Sequence, residues 1–190
     1  DNGAPDAGRT FYFLNPSRRS PATLAAKLLR EAVREDLATI VFTKSRKNTE
    51  LVYTWAVHGD AKLRKLVSAY RSGYLPEERR EIEEKLFSGT LKAVVSTSAL
   101  EMGIDIGGLD VCILVGYPGS ITTTWQRGGR VGRQDRASLV VLLAGPDALD
   151  QYFMKHPRVF FESGFEPAVI NPENLPVLAA HLACAAAELP

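Results

Sequence analysis

The octapeptide at 126–133, QRGGRVGR, carries the residue types of this chain best suited to chemistry, and we call it the arginine segment. Arg127, Arg130 and Arg133 recur at three-residue intervals, close to one helical turn, so the spacing predicts that they project on one side. Planar guanidinium groups gathered in this way suit polyphosphate oxygens, which they bind bidentately. The alternative is a basic helix end that only faces water. Each glycine within a helix costs roughly 1 kcal/mol relative to alanine, and this cost favours a site at which a backbone or a phosphate approaches closely.

A second polar segment, STSALEMGIDIG at 96–107, follows an apolar run. Its hydroxyl groups, and free backbone N–H groups at a strand-to-helix junction, can hold phosphate oxygens. Asp105 lies in a glycine-containing loop and can accept hydrogen bonds from a ribose hydroxyl. The alternative is purely structural, with Ser98 as a helix N-cap and Asp105 as a turn residue.

Two further polar segments also follow apolar runs. At 40–46, IVFTKSR leads into basic residues that can bind a sugar-phosphate backbone. At 70–80, YRSGYLPEERR places Arg71 between Tyr70 and Tyr74, and either tyrosine can stack on a base. A polar surface loop without a ligand is the alternative in both places.

The elements that position these segments are read from the hydrophobic pattern. Short β-branched apolar runs alternate with helical patterns, which is typical of an α/β domain with a mainly parallel sheet. Strands are predicted at 10–14, 39–43, 66–70, 93–96, 111–115 and 138–143. Helices are predicted at 21–35, 47–55, 76–87, 123–130 and 146–155, with capping chemistry for the second at 48–50. Since ligands bind at the carboxyl ends of parallel strands, we expect the polar segments to meet along that edge.

Composition restricts the class of protein. The chain has 190 residues, 45% hydrophobic and 24% charged, which is enough for one well-buried domain of a soluble protein. A net charge of +1 requires any nucleic-acid site to be a local patch. Cys112 lies within an apolar run, which favours a buried thiol and a reducing compartment. No apolar run has membrane-spanning length and no targeting pattern is recognised, so we expect a cytoplasmic protein without membrane contact.

The chain changes character near its C-terminal end. The segment 150–176 is rich in aromatic residues and prolines and is predicted to be an irregular extension, followed by an apolar helix at 177–188. We therefore divide the chain into a principal domain at 1–148 and an extension at 149–190. The abrupt apolar helix and the Gly/Asp/Pro-rich opening suggest a piece of a longer protein.

The order and spacing of the four polar segments resemble the second RecA-like motor domain of superfamily 2 helicases. In this resemblance, 40–46 matches motif IV, 70–80 the motif after it, 97–106 motif V and 126–133 motif VI, so that it covers roughly 39–143. A closer resemblance is to the bacterial mitomycin-repair-factor DNA helicases and their RecQ-four-related fungal relatives. It rests on the amino-acid sequences at 70–80 and 98–107 and on the segment from 150 onward. That family carries a cysteine-rich zinc domain farther along the chain, and its ligands are not found here.

The resemblance implies a fold and a set of roles. The fold is a RecA-like three-layer αβα domain, and ATP binds in a cleft between it and a first RecA-like domain missing from this chain. The implied catalytic residues are Gln126, Arg130 and Arg133, the two arginines acting as arginine fingers. The implied nucleotide-binding residues are Gly103, Asp105 and Arg127, although Arg127 alternatively orients the arginine segment. The implied grip on the phosphates of one DNA strand consists of Thr43, Arg46, Arg71, Thr97 and Ser98.

Cofactors and partners follow from the same resemblance. The chain contains neither a G-x-x-x-x-G-K-[ST] loop nor an acidic box after a strand, so ATP and Mg²⁺ are expected on the missing first domain. This chain alone is expected to bind neither and to hydrolyse no ATP. The expected partner is 3′-tailed single-stranded DNA, read with little sequence preference during 3′-to-5′ translocation in DNA repair. An RNA-directed or duplex-translocating motor and a non-enzymatic protein-binding module remain alternatives.

Overall fold

A computed structural model describes residues 8–16, 19–70, 73–100, 108–132, 137–167, 171 and 173–188. Within this part of the chain, six parallel strands form one sheet in the order β1-β6-β5-β2-β4-β3. The strands are β1 (Arg9–Leu14), β2 (Thr39–Thr43), β3 (Val67–Tyr70), β4 (Ala93–Ser96), β5 (Val111–Val115) and β6 (Ser138–Leu143). The prediction of an α/β domain with a parallel sheet is confirmed, and four strands have the predicted bounds.

Eight helices accompany the sheet in the described ranges. They are α1 (Pro21–Arg34), α2 (Arg46–Val57), α3 (Ala61–Leu66), α4 (Pro76–Phe87), α5 (Ile121–Gly128), α6 (Ala148–Lys155), α7 (Pro157–Glu162) and α8 (Leu175–Glu188). The short helix α3 was not predicted. Asp60 caps it by accepting hydrogen bonds from the backbone N–H groups of Lys62 and Leu63, which lower the pKa of the Asp60 carboxyl.

The core lies on both faces of the sheet, because successive strand residues point to opposite sides. In β2, Val41 packs with α1 and α2 on one face, whereas Ile40 and Phe42 pack on the other face. The second face also contains Leu86 of α4 and Val131 after α5. The result is the expected three-layer αβα arrangement, with continuous apolar strands buried on both sides.

The extension is more helical than predicted and joins the principal domain through aromatic rings. Phe160 of α7 is fully buried and lies 6.0 Å from Trp125 of α5 and 5.4 Å from Phe13 of β1, measured between ring centroids. The predicted boundary between 148 and 149 lies at the first residue of α6, and it stays a prediction. Helix α8 contributes no buried residue among those described. No described helix combines the length and apolarity that crossing a membrane requires.

The parallel sheet has two edges that matter for function, because every strand runs in the same direction. We call the edge at the C-terminal ends of the strands the carboxyl edge and the opposite one the amino edge. From its first to its last Cα, the five-residue strand β5 spans about 13 Å between the two edges, at a rise of about 3.3 Å per residue.

Candidate functional site

The loop after β2 lies at the carboxyl edge and leads directly into α2. Ser45 is the N-cap of α2 and its hydroxyl accepts a hydrogen bond from the backbone N–H of Asn48, so the cap lies before the predicted 48–50 position. Arg46, the first residue of the helix, is exposed. Lys44 and Lys47 line an adjoining groove of about 690 Å³. The basic group predicted from the sequence is therefore brought together on the surface.

Thr43 is placed differently from the prediction. Its side chain is only 1% exposed, and its hydroxyl lies 2.7 Å from that of Thr49 while donating to the backbone oxygen of Ser45. A hydroxyl used in this way holds the β2 loop against α2. This placement favours a positioning role for Thr43 over direct contact with DNA.

The segment after β4 adjoins the β2 loop, since β2 and β4 are paired neighbours. Thr97 is half-buried and Ser98 is exposed at the start of a 3₁₀ turn, Ser98–Leu100, whose Leu100 is buried. The two predicted phosphate-binding hydroxyls of this segment thus lie at the carboxyl edge, next to the loop after β2 that leads to Arg46. Gly103, Asp105 and Arg71 lie outside the described residues.

The tyrosines at 70 and 74 have different surroundings. Tyr70 is 2% exposed and its hydroxyl donates to Glu83 at 2.7 Å, while burial and this carboxylate raise its pKa to about 12. A ring buried in this way is not available to stack on a base, so that expectation is wrong for Tyr70. Tyr74 is half-buried.

Asp150, a residue not predicted from the sequence, holds the loops of the carboxyl edge together through hydrogen bonds. Asp150 of α6 is 1% exposed and accepts hydrogen bonds from the backbone N–H groups of Tyr117 (3.0 Å) and Gly145 (2.6 Å). The Nζ of Lys44 lies 3.4 Å from the same carboxylate. One buried charge therefore joins the loops after β2, β5 and β6. An aspartate in the first turn of a helix was the only signal in the sequence, and it does not reveal these partners.

The arginine segment runs away from the carboxyl edge. Helix α5 begins at that edge and ends at Gly128, and Gly132 then donates its N–H to the oxygen of Leu109, which lies just before β5. The nearby Val131 oxygen accepts from Arg9 at the start of β1. Arg130 is therefore placed at the amino edge, and the expectation that all polar segments share the carboxyl edge is wrong.

Arg127 and Arg130 also do not share one helix face as the spacing predicted. Arg127 is 7% exposed, with its guanidinium carbon 5.2 Å from the centroid of the Phe42 ring. Arg130 follows the end of α5 and is half-buried, while Gln126 is exposed. Arg127 thus faces the core of its own domain, which favours the orienting role over contact with a nucleotide. Arg133 lies outside the described residues.

Two glycines fix the path of the chain at and after the end of α5. A Cβ on Gly128 would lie 3.3 Å from the Phe11 ring and 3.5 Å from Val140, so glycine lets the helix approach the sheet. Gly132 has a φ of 99°, which favours glycine, and its N–H pins the chain to Leu109. The sequence predicted that a backbone or a phosphate approaches these glycines closely. At Gly128 the group that approaches is the sheet of the same domain. Between these fixed points, Arg130 has a defined position.

The remaining chemistry of the described residues is limited. The predicted buried, free thiol of Cys112 is confirmed, and burial raises the pKa of this thiol to about 12. Among the described residues, no three or more His, Cys, Asp or Glu side chains cluster in a way that could hold a metal ion.

Comparison with known proteins gives the family. The model of the helicase conserved C-terminal domain matches residues 23–135. The uncharacterized ATP-dependent helicase YprA of Bacillus subtilis is 44% identical over an alignment of 200 residues, covering 100% of this chain and 27% of that protein. The chain spans about a quarter of the length of this relative.

Solved structures agree with this assignment. The DUF1998 helicase MrfA, bound to DNA and AMPPNP, is 44% identical, with a TM-score of 0.89 over 100% of this chain and 28% of its own. The helicase Lhr of Mycobacterium smegmatis, bound to ssDNA and AMP-PNP, is 27% identical, with a TM-score of 0.74 over 97% of this chain and 25% of its own. The chain therefore belongs to the helicase conserved C-terminal domain family and has the RecA-like fold of superfamily 2 helicases.

Proposed function

We propose that this chain is the second motor domain of an ATP-dependent DNA helicase, with ATP and Mg²⁺ held mainly by a first RecA-like domain of the same protein. The observation that carries the proposal is the position of Arg130. It is half-buried and lies between the buried Arg127 and the Val131–Gly132 backbone, which is pinned to Leu109 and Arg9. A guanidinium held by a rigid backbone needs little reorganisation when a phosphate arrives.

In this proposal Arg130 and Arg133 reach the γ-phosphate across the cleft, assisted by Gln126. Their donors stabilise the charge that develops on the transferring phosphoryl group, an effect worth roughly 10³–10⁵ in rate for arginine fingers. Gly103 and Asp105 are assigned to the ribose side of the nucleotide. The binding of AMPPNP by MrfA and of AMP-PNP by Lhr supports a nucleotide site in this family.

The nucleic-acid grip is assigned to the carboxyl edge. Arg46 and Ser98 are exposed and Thr97 is half-buried there, beside the groove lined by Lys44 and Lys47, and Arg71 is assigned to the same grip. These groups suit phosphates more than base edges, so single-stranded DNA would be bound with little sequence preference. The DNA bound by MrfA and the ssDNA bound by Lhr support DNA as the partner.

Because one rigid sheet carries both edges, closure of the cleft on ATP moves the DNA grip with it. When the cleft opens after hydrolysis, the DNA-binding residues bind a new phosphate farther along the DNA strand. Repeated cycles move the protein stepwise along the DNA. By family resemblance the direction is 3′ to 5′, and the pathway is DNA repair. Comparing DNA with RNA as stimulators of ATP turnover separates this assignment from an RNA-directed motor.

The finger assignment is tested by Arg130→Ala and Arg133→Ala in the full-length helicase. Each variant is expected to lose ATP turnover by roughly three orders of magnitude or more while binding single-stranded DNA normally. Arg158→Ala, which removes an exposed arginine of α7, is the matched control. Normal turnover in either finger variant would overturn the assignment of that residue.

A further inference from the structure

The chain after α7 returns to α5, the helix that leads to Arg130. The carboxylate of Glu166 accepts hydrogen bonds from the backbone N–H groups of Ile121 (2.5 Å) and Thr122 (3.0 Å). It also accepts one from the hydroxyl of Thr122 at 2.6 Å. These contacts join residues 44 or 45 positions apart in the chain, so they bring the extension onto the start of α5.

Glu166 completes the N-terminal cap of α5. The hydroxyl of the N-cap residue, Ser120, already accepts from the N–H of Thr123, and the Ser120 backbone oxygen accepts from Thr124. The N–H groups of Ile121 and Thr122 would otherwise lack an acceptor within the helix. A carboxylate at this end also complements the helix dipole. The hydrogen bonds from Thr122 and Ile121 lower the pKa of the Glu166 carboxyl to about 2, so it is ionised at neutral pH.

Helix α5 connects the two edges of the sheet. Its eight residues span about 12 Å, from Ile121 at the carboxyl edge to Gly128 near the amino edge. Glu166 holds the first turn, and Phe160 of α7 contacts the Trp125 ring at a centroid distance of 6.0 Å. The extension thus fixes both the start and the flank of this helix, and Arg130 follows two residues after its end.

We propose that Glu166 is a positioning residue for ATP hydrolysis, through which the extension sets the orientation of α5 and hence of Arg130. This inference rests on the proposed function of Arg130 as a finger. Glu166 contacts no nucleotide in the proposal. Its role is to limit tilting of the helix, since a small displacement of a catalytic group can lower the rate substantially.

The test uses Glu166→Ala in the full-length helicase. We expect kcat for DNA-stimulated ATP hydrolysis to fall about tenfold, with KM for ATP and Kd for single-stranded DNA changed less than about twofold. Hydrogen exchange at the amides of Ile121 and Thr122 should accelerate by about tenfold because their acceptor is lost. Glu166→Gln keeps one carbonyl acceptor and should show a smaller loss of kcat. Glu162→Ala, which removes another exposed glutamate of the extension, should behave as the wild type.

A double-mutant cycle separates positioning from a general loss of stability. If Glu166 acts through Arg130, combining Glu166→Ala with Arg130→Lys should lower kcat by less than the product of the two single effects. A multiplicative result, or a loss of DNA binding in parallel with kcat in Glu166→Ala, would overturn the inference.

The ATP turnover of Glu166→Ala and of Arg130→Ala separates the positioning role of Glu166 from the finger role of Arg130. Unchanged kcat in Glu166→Ala, with turnover abolished in Arg130→Ala, rejects the positioning role and leaves the finger intact. Normal turnover in Arg130→Ala rejects the finger itself, and the inference about Glu166 with it.

Discussion

The two edges of the sheet hold similar residue types in different ways. At the carboxyl edge, Arg46 and Ser98 are exposed after β2 and β4, and a buried carboxylate, Asp150, joins the loop after β2 to the loops after β5 and β6. At the amino edge, Arg130 is half-buried on a short backbone pinned by Leu109 and Arg9. Exposed side chains can adjust to the flexible, uniform backbone of a DNA strand. An arginine on a fixed backbone suits a ligand that binds in one defined position. This contrast fits the proposed roles, in which the carboxyl edge binds the phosphates of DNA and Arg130 acts in phosphoryl transfer.

The largest structural effect is expected from Asp150→Ala at the carboxyl edge. Removing the buried carboxylate leaves the N–H groups of Tyr117 and Gly145 without their acceptor and takes away the nearer of the two carboxylates beside Lys44, which should destabilise the domain by about 3 kcal/mol. Urea denaturation measures this loss. A loss below about 1 kcal/mol would mean that Asp150 does not hold the edge together.

Arg127→Ala tests whether the buried arginine that precedes Arg130 has a structural role. Loss of the guanidinium over Phe42 removes packing and a cation–π contact, so we expect a destabilisation of about 2 kcal/mol. ATP turnover should fall as well, because α5 loses an anchor. Arg130→Ala is the matched comparison and should leave the Tm near the wild-type value. Equal Tm values for the two variants would contradict the division between a structural and a catalytic arginine.

Gly132→Ala tests how sharply the backbone beside Arg130 is defined. Alanine disfavours the φ of 99°, and its Cβ would lie 3.0 Å from the Ser138 hydroxyl oxygen. We expect a destabilisation of about 1–2 kcal/mol together with a lower kcat. Gly89→Ala, at a φ of 74° with no atom within 4 Å of the added Cβ, is the control for strain alone and should leave kcat unchanged.

The smallest effect concerns the pH dependence of the Glu166 cap on α5, the helix that connects the two edges. The pKa of Glu166 is lowered from 4.5 to about 2, so its contribution to stability is present above about pH 4.5 and is lost as the pH falls towards 2. The stability advantage of the wild type over Glu166→Gln should therefore shrink between about pH 5 and pH 3, as measured by urea denaturation. A constant difference across this range would contradict the charged cap.

The sequence predicted the elements better than the geometry of the site. The runs at 39–43, 93–96, 111–115 and 138–143 became strands with unchanged bounds, because strands buried on both faces are continuously apolar. Helix α3 was missed because six residues give too little periodicity.

The orientation of Arg127 and the end of α5 depend on tertiary packing that three-residue spacing does not encode. Arg127 lies over Phe42, and Gly128 approaches Phe11 and Val140, all three of which belong to other elements of the fold. Asp150 and Glu166 were missed for the same reason, since each acts through backbone groups of other elements. Thr43 and Tyr70 were predicted as contacts from their loops, yet both are buried.

The most direct test compares Arg46→Ala and Arg130→Ala in the full-length helicase, with ATP turnover and single-stranded DNA affinity measured on the same samples. Arg130→Ala should reduce turnover by roughly 10³-fold or more with DNA Kd within about twofold. Arg46→Ala should weaken DNA binding and lower its salt slope by about one, while saturating DNA restores turnover. Two variants that lose both activities together, or an Arg130→Ala protein with normal turnover, would contradict the assignment of separate tasks to the two edges.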